Sequence, residues 1–153
     1  MLRLSALAIL VGGAAGLVAQ ILTRLISLIT NLAFFGQLSL AVQSPATNAL
    51  GLWVVVVPVV GGLVVGVMAR YGSPAIRGHG IPEAMEQVLF NRSRIPPRLT
   101  ILKPLSAAIS IGTGGPFGAE GPIIATGGSL GSLVGQLLPT TADERKTLVA
   151  AGA

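Results

Sequence analysis

The chain has 153 residues, of which 52% are hydrophobic and only 10% are charged, and its mean hydropathy is +0.81. A soluble domain carries about 25% charged residues, so this composition argues against a soluble fold and is typical of a membrane protein. The net charge of +5 does not indicate a nucleic-acid partner, because no run of basic residues is interleaved with aromatic ones. The absence of cysteine excludes disulfide frameworks and thiolate metal sites.

Two stretches are long enough to cross a bilayer as helices, which requires about 20 mostly apolar residues. Residues 5–22 carry no charge, and the apolar character continues as far as Phe35. This is too long for the core of a cleaved signal peptide, so we predict one long, tilted helix over residues 2–35. Residues 50–69 also carry no charge, and we predict a second span there.

The basic residues are distributed unevenly around these spans. Six of the ten lie between positions 70 and 103, whereas the loop over residues 31–48 has none. Cytoplasmic loops of membrane proteins carry an excess of lysine and arginine. The segment 70–103 is therefore predicted to be cytoplasmic and the loop 31–48 to face outward, and Arg3 places the N-terminus in the cytoplasm.

After the second span, the apolar segments become short and are interrupted by glycine and proline. Short helices are predicted over residues 82–90, 99–111 and 122–138, two of them with a proline in the first turn. Thr141 is an expected N-cap, so another helix begins near position 142, and the sequence stops inside it, as expected of a fragment. Interrupted helices at membrane depth line cavities or are buried in protein, and their N-termini attract anions.

Two glycine-rich turns stand at the starts of these short helices. The first is GHGIPE, residues 78–83, whose glycines permit the backbone around His79, Gly80 and Ile81 to approach an anion closely. The second is GAEGP, residues 118–122, which follows the same plan. Each motif alone is also compatible with a plain Gly-Pro turn between helices.

Glu120 is an acid within the second turn. An ionisable residue inside a membrane segment is expensive and indicates function, although an acid at a helix N-terminus also complements the helix dipole. An ionised carboxylate at this position occupies the place of a diffusing anion, and protonation removes that competition. The sequence therefore predicts that Glu120 is a gate controlled by protons.

Taken together, the motifs resemble consecutive landmarks of the CLC family of chloride channels and proton-coupled chloride transporters. The landmarks are GHGIPE, Lys103, GAEGPIIATGG and ADERKTLVAAGA, and they correspond to the early helices of the first half of the family's fold. The resemblance implies an all-α, polytopic integral membrane protein with broken helices, which forms a homodimer. It also implies transport of chloride or a related inorganic anion through a pore lined by helix N-termini, with protons as a second partner in exchangers.

The resemblance also assigns roles to individual residues. Glu120 is the gating glutamate, and Lys103 raises the local positive potential. The anion-binding positions are His79, Gly80, Ile81, Gly118, Ala119 and Gly121. Two positions depart from the family pattern, because position 79 is usually serine and position 119 is commonly arginine or lysine. These departures leave the anion preference open and predict a less positive outer mouth.

The remaining expectations concern class and location. The resemblance implies a multi-pass protein of the bacterial inner membrane that is not an enzyme, and the residues indicate no organic cofactor. One histidine and five unclustered acids do not form a metal site. The alternatives are an inactive fragment of such a transporter, a different broken-helix secondary transporter, and a soluble enzyme with residues 112–118 as a phosphate loop. The last lacks the glycine spacing of that motif.

Overall fold

The computed structural model describes residues 2–77 and 81–153, apart from the side chains of Ile81, Glu83 and Ala84. Within these ranges every regular element is helical, which confirms the predicted all-α fold. The α-helices are α1 (Leu2–Thr30), α2 (Val56–Tyr71), α3 (Ile81–Phe90), α4 (Leu99–Gly112), α5 (Glu120–Leu137) and α6 (Ala142–Gly152). Shorter helical turns lie at Asn31–Phe35, Pro45–Thr47, Gly51–Val55 and Pro74–Ile76.

Two continuous helical stretches are long and apolar enough to cross a membrane. Leu2–Phe35 has 34 residues, because α1 runs directly into a turn of π-helix that ends at Gly36 with a φ of 64°. Gly51–Tyr71 has 21 residues and begins with a turn of 3-10 helix before α2. Large apolar side chains are exposed along both stretches, as expected of helices that face lipid rather than a protein core.

The three short helices α3, α4 and α5 follow the second of these stretches. Their bounds lie within two residues of the ranges expected from the sequence. The largest difference is at α5, which begins at Glu120 rather than at Pro122. Proline is tolerated throughout a first turn, where N–H groups have no partner within the helix. Glu120 and Gly121 therefore join the helix ahead of the proline.

Helix α5 packs against α1, α4 and α6, and its contact with α6 is the most extensive. An added Cβ at Gly127 would collide with the carbonyl oxygen of Gly152, and one at Gly131 with the carbonyl oxygen of Leu148. The two backbones therefore touch, which small residues permit between membrane helices.

Helix α6 begins with a capping box, which confirms Thr141 as its N-cap. The Thr141 hydroxyl accepts a hydrogen bond from the Glu144 N–H at 3.2 Å, and the Glu144 carboxylate accepts one from the Thr141 N–H at 2.8 Å. Both groups satisfy donors that the first turn leaves free. The same bonds hold the pKa of Glu144, which lies outside both candidate spans, below its ordinary value.

Candidate functional site

A cavity of about 250 Å³ lies between α2, the turn Pro74–Ile76, α4 and the segment that begins α5. Its polar lining comes from two basic residues and two serines: Arg77, Lys103, Ser106 and Ser110. Phe117, Gly118 and Pro122 line it from the side of α5. The cavity therefore brings together predicted residues that are 15 positions apart, Lys103 and Gly118.

Lys103 reaches the buried side of this cavity from α4. Its side chain is only 6% exposed, and its Nζ donates hydrogen bonds to the carbonyl oxygens of Ile76 at 3.2 Å and Arg77 at 3.3 Å. Burial of an ammonium group is tolerated where hydrogen bonds or opposite charges replace lost water. These bonds connect α4 to the residues that come directly before the GHGIPE motif.

The N-terminus of α5 stands beside the cavity without a side-chain cap. Ala119, the N-cap residue, has a φ of −76° and a ψ of −16° and makes no capping hydrogen bond through its side chain. The first N–H groups of a helix have no partner within the helix, and they carry the positive end of its dipole. Gly118 and Pro122, on either side of these groups, both line the cavity.

The turn that precedes α5 is fixed by close contacts with the two long helical stretches. A Cβ added to Gly112 would lie 2.7 Å from the Ile29 side chain, and one added to Gly61 would overlap Thr113. Gly114 has a φ of 93°, a conformation that favours glycine. α1 and α2 therefore set the position at which α5 begins.

Glu120 is the first residue of α5. Its side chain is exposed and is not among the residues that line the cavity. Ala119 and Gly121, on either side of it, are half-buried. The predicted gate therefore lies two residues from Gly118 and from Pro122, which both line the cavity.

The other predicted turn is only partly described. Gly80 and His79 lie outside the described residues, and Ile81 is the first residue of α3. Arg77, Ser106 and Ser110 also line the cavity, although the sequence motifs did not predict them. The two serines follow Lys103 at spacings of three and seven, which place all three on one helix face, and this spacing is visible in the sequence.

Comparison with known proteins identifies the family. The family model for the voltage gated chloride channel matches residues 61–153, which include every residue that lines the cavity. The chain belongs to this family. The match confirms the CLC resemblance, and members of the CLC family are integral membrane proteins that act as channels or transporters.

Two relatives support the assignment. The chain is 31% identical to a ClcB-like protein of Ralstonia nicotianae whose name assigns it to the chloride channels, over 111 residues that cover 69% of this chain and 26% of the relative. It is 29% identical to the chloride channel protein CLC-f of Arabidopsis thaliana, over 107 residues that cover 65% of this chain and 12% of the relative. The chain thus spans about a quarter or less of these relatives. No solved structure matches it significantly.

Proposed function

We propose that this CLC protein carries chloride or a related inorganic anion across the membrane, past the cavity between α4 and α5. The observation that supports the proposal most directly is the placement of a buried ammonium, Lys103, and an uncapped helix N-terminus on one cavity. The family and the names of both relatives point to the same class of substrate. The homodimer and the bacterial inner membrane remain predictions from the family resemblance.

The chemistry of the cavity suits a small anion that has lost part of its water. Free N–H groups at the start of α5 replace water as hydrogen-bond donors, and the helix dipole adds a positive potential. The ammonium of Lys103 contributes a full charge in surroundings where charges are poorly screened. The serines on α4 add hydroxyl groups, and the mostly apolar remainder of the wall keeps the ion from binding too tightly to leave.

Glu120 has the chemistry of a gate at this end of α5. When it is ionised, its carboxylate competes with the transported anion for the N–H groups of the first turn. When it is protonated, it no longer carries the charge that those donors attract, and the anion takes its place. Entry of the anion is then linked to uptake of a proton by Glu120, so a lower pH favours anion transport.

The test is anion efflux from liposomes that contain the full-length protein, measured at an acidic and a near-neutral pH, about pH 5 and about pH 7.5. E120Q removes the titrating charge and is expected to abolish the difference in efflux between the two pH values. The matched control is E86Q, because Glu86 is an exposed glutamate on α3. It is expected to keep the pH dependence of the parent protein.

Each part of the proposal has its own contradicting result. Efflux of the same size and pH dependence in E120Q and the parent protein would exclude Glu120 as the gate. Absence of chloride, nitrate and fluoride efflux from the parent protein at both pH values would exclude anion transport itself. Substitution of His79 by serine is expected to change the ranking of the three anions, and an unchanged ranking would remove His79 from the path.

A further inference from the structure

A separate feature lies at the end of the molecule where α2 stops and α4 starts. Four buried side chains form a small apolar cluster there: Ala69, Ile76, Ile95 and Leu99. Each of the four is the sequence neighbour of an exposed arginine. Arg77, beside Ile76, lines the cavity, and the other three arginines are named the arginine rim: Arg70, Arg94 and Arg98. Because the cluster packs their neighbours together, it brings Arg70 at the end of α2 to the same small core as Arg94 and Arg98 before and at the start of α4.

The arginine rim lies at the level where the second span leaves the membrane. Tyr71 ends α2, is 78% exposed, and has the Arg70 guanidinium 5.8 Å from its ring centre. Trp53, at the other end of this span, is 74% exposed and roughly 28 Å away at the usual rises of the two helix types. Tryptophan and tyrosine are enriched at both membrane interfaces, about 30 Å apart. Tyr71 therefore marks the headgroup region.

Arg94 is held outward by a buried hydroxyl of α5. Ser132 donates a hydrogen bond to the Ser93 carbonyl oxygen at 2.6 Å and accepts one from the Ile95 N–H at 2.9 Å, which fixes the backbone on both sides of Arg94. Ser93 has a φ of 58°, a left-handed conformation that is unfavourable for serine. Such a conformation persists only where its surroundings hold it. The backbone of this turn therefore holds Arg94 in a defined, exposed position.

The positive charge of the arginine rim is not neutralised within the part of the chain that the structure describes. No carboxylate with a described side chain pairs with any of the three arginines. Basic residues at a membrane surface each strengthen binding to anionic lipids about fivefold. Guanidinium groups also match the geometry of a phosphodiester, because they donate two parallel hydrogen bonds.

We propose that the arginine rim binds the headgroups of anionic phospholipids in the leaflet that it faces. The recognised group is a lipid phosphate whose negative charge is not neutralised within the headgroup, as it is by choline in phosphatidylcholine. The acyl chains of the bound lipid lie along the exposed apolar side chains of α2. This role is distinct from anion transport, because none of the three arginines lines the cavity between α4 and α5. The lipid-binding proposal can therefore be tested independently of anion transport.

The test is native mass spectrometry of the full-length protein with equal amounts of phosphatidylglycerol and phosphatidylcholine. The parent protein is expected to retain phosphatidylglycerol preferentially, and R94Q/R98Q to reduce this preference about 25-fold, since each arginine contributes about fivefold. The control R24Q/K146Q removes the same charge from exposed positions of α1 and α6 outside the arginine rim and is expected to leave the preference unchanged. R94K/R98K keeps the charge and is expected to retain most of the preference.

Three results would overturn the proposal. One is an unchanged preference in R94Q/R98Q, and another is an equal loss in R24Q/K146Q, which would indicate a response to net charge alone. The third needs no variant: the preference of the parent protein must weaken when salt rises from about 50 mM to about 500 mM, because exposed charges are then screened. A preference that is independent of salt would show that the arginine rim does not bind the headgroup.

Discussion

The two charged residues predicted for the site have different surroundings. Lys103 is buried and bonded to two backbone carbonyl oxygens, so its charge is fixed in place. Glu120 is exposed at the first residue of a helix, so its side chain is able to move. A fixed cation and a mobile acid suit different tasks, since the first sets the potential for an anion and the second competes with it.

This difference leads to a prediction for Lys103. A charge about 10 Å from an ion contributes about 1.7 kcal/mol at an effective dielectric constant of about 20. K103M, which keeps most of the side-chain volume, is therefore expected to weaken chloride binding at least about tenfold by isothermal titration calorimetry. K146M removes a lysine from the exposed part of α6 and is the matched control. Equal chloride affinities for K103M and the parent protein would exclude Lys103 from the electrostatics of the site.

At the level of elements, the local sequence pattern predicted where the helices lie. It did not predict the irregular backbone conformations between or within them. Apolar length and proline position place α1 to α5, because both act within one or two turns. The π-helical turn after Thr30 and the left-handed conformation of Ser93 have no such local cause. Ser93 is held by Ser132, which is 39 residues away. The cavity wall likewise combines residues of several helices. A local sequence motif therefore could not predict that Arg77 lines the cavity.

The contact between α5 and α6 gives a prediction about stability. A methyl group added at Gly131 would meet the backbone carbonyl of Leu148, which cannot move without displacing α6. G131A is therefore expected to lower the free energy of unfolding by about 1–3 kcal/mol, as overpacking does in other cores.

The measurement is unfolding of the protein from detergent micelles by added sodium dodecyl sulfate. Gly66 provides the control, because nothing lies within 4 Å of a Cβ added there. Alanine is favoured over glycine in a helix by about 0.5–1 kcal/mol, so G66A is expected to be neutral or slightly stabilising. If G131A were as stable as G66A, the close approach of the two backbones would be contradicted.

For the whole molecule, the stretch Gly51–Tyr71 determines which segments lie on the same side of the membrane. Gly51–Tyr71 separates the loop over residues 31–48 from the segment 70–103. If this stretch spans the bilayer once, the two segments lie on opposite sides. The distribution of basic residues then predicts that 70–103, with the arginine rim, faces the cytoplasm.

These 153 residues contain no cysteine, so single cysteines introduced into them report this topology in a full-length protein from which any other cysteines have been replaced. Gln43 and Ala75 are both exposed and lie on either side of Gly51–Tyr71. Q43C is expected to react with a membrane-impermeant maleimide added to intact cells, and A75C only after permeabilisation. V60C, in the middle of the same stretch and facing lipid, is expected to react in neither case, because thiolate formation requires water. Reaction of Q43C and A75C from the same side would contradict a single crossing and would also remove the arginine rim from the cytoplasmic leaflet.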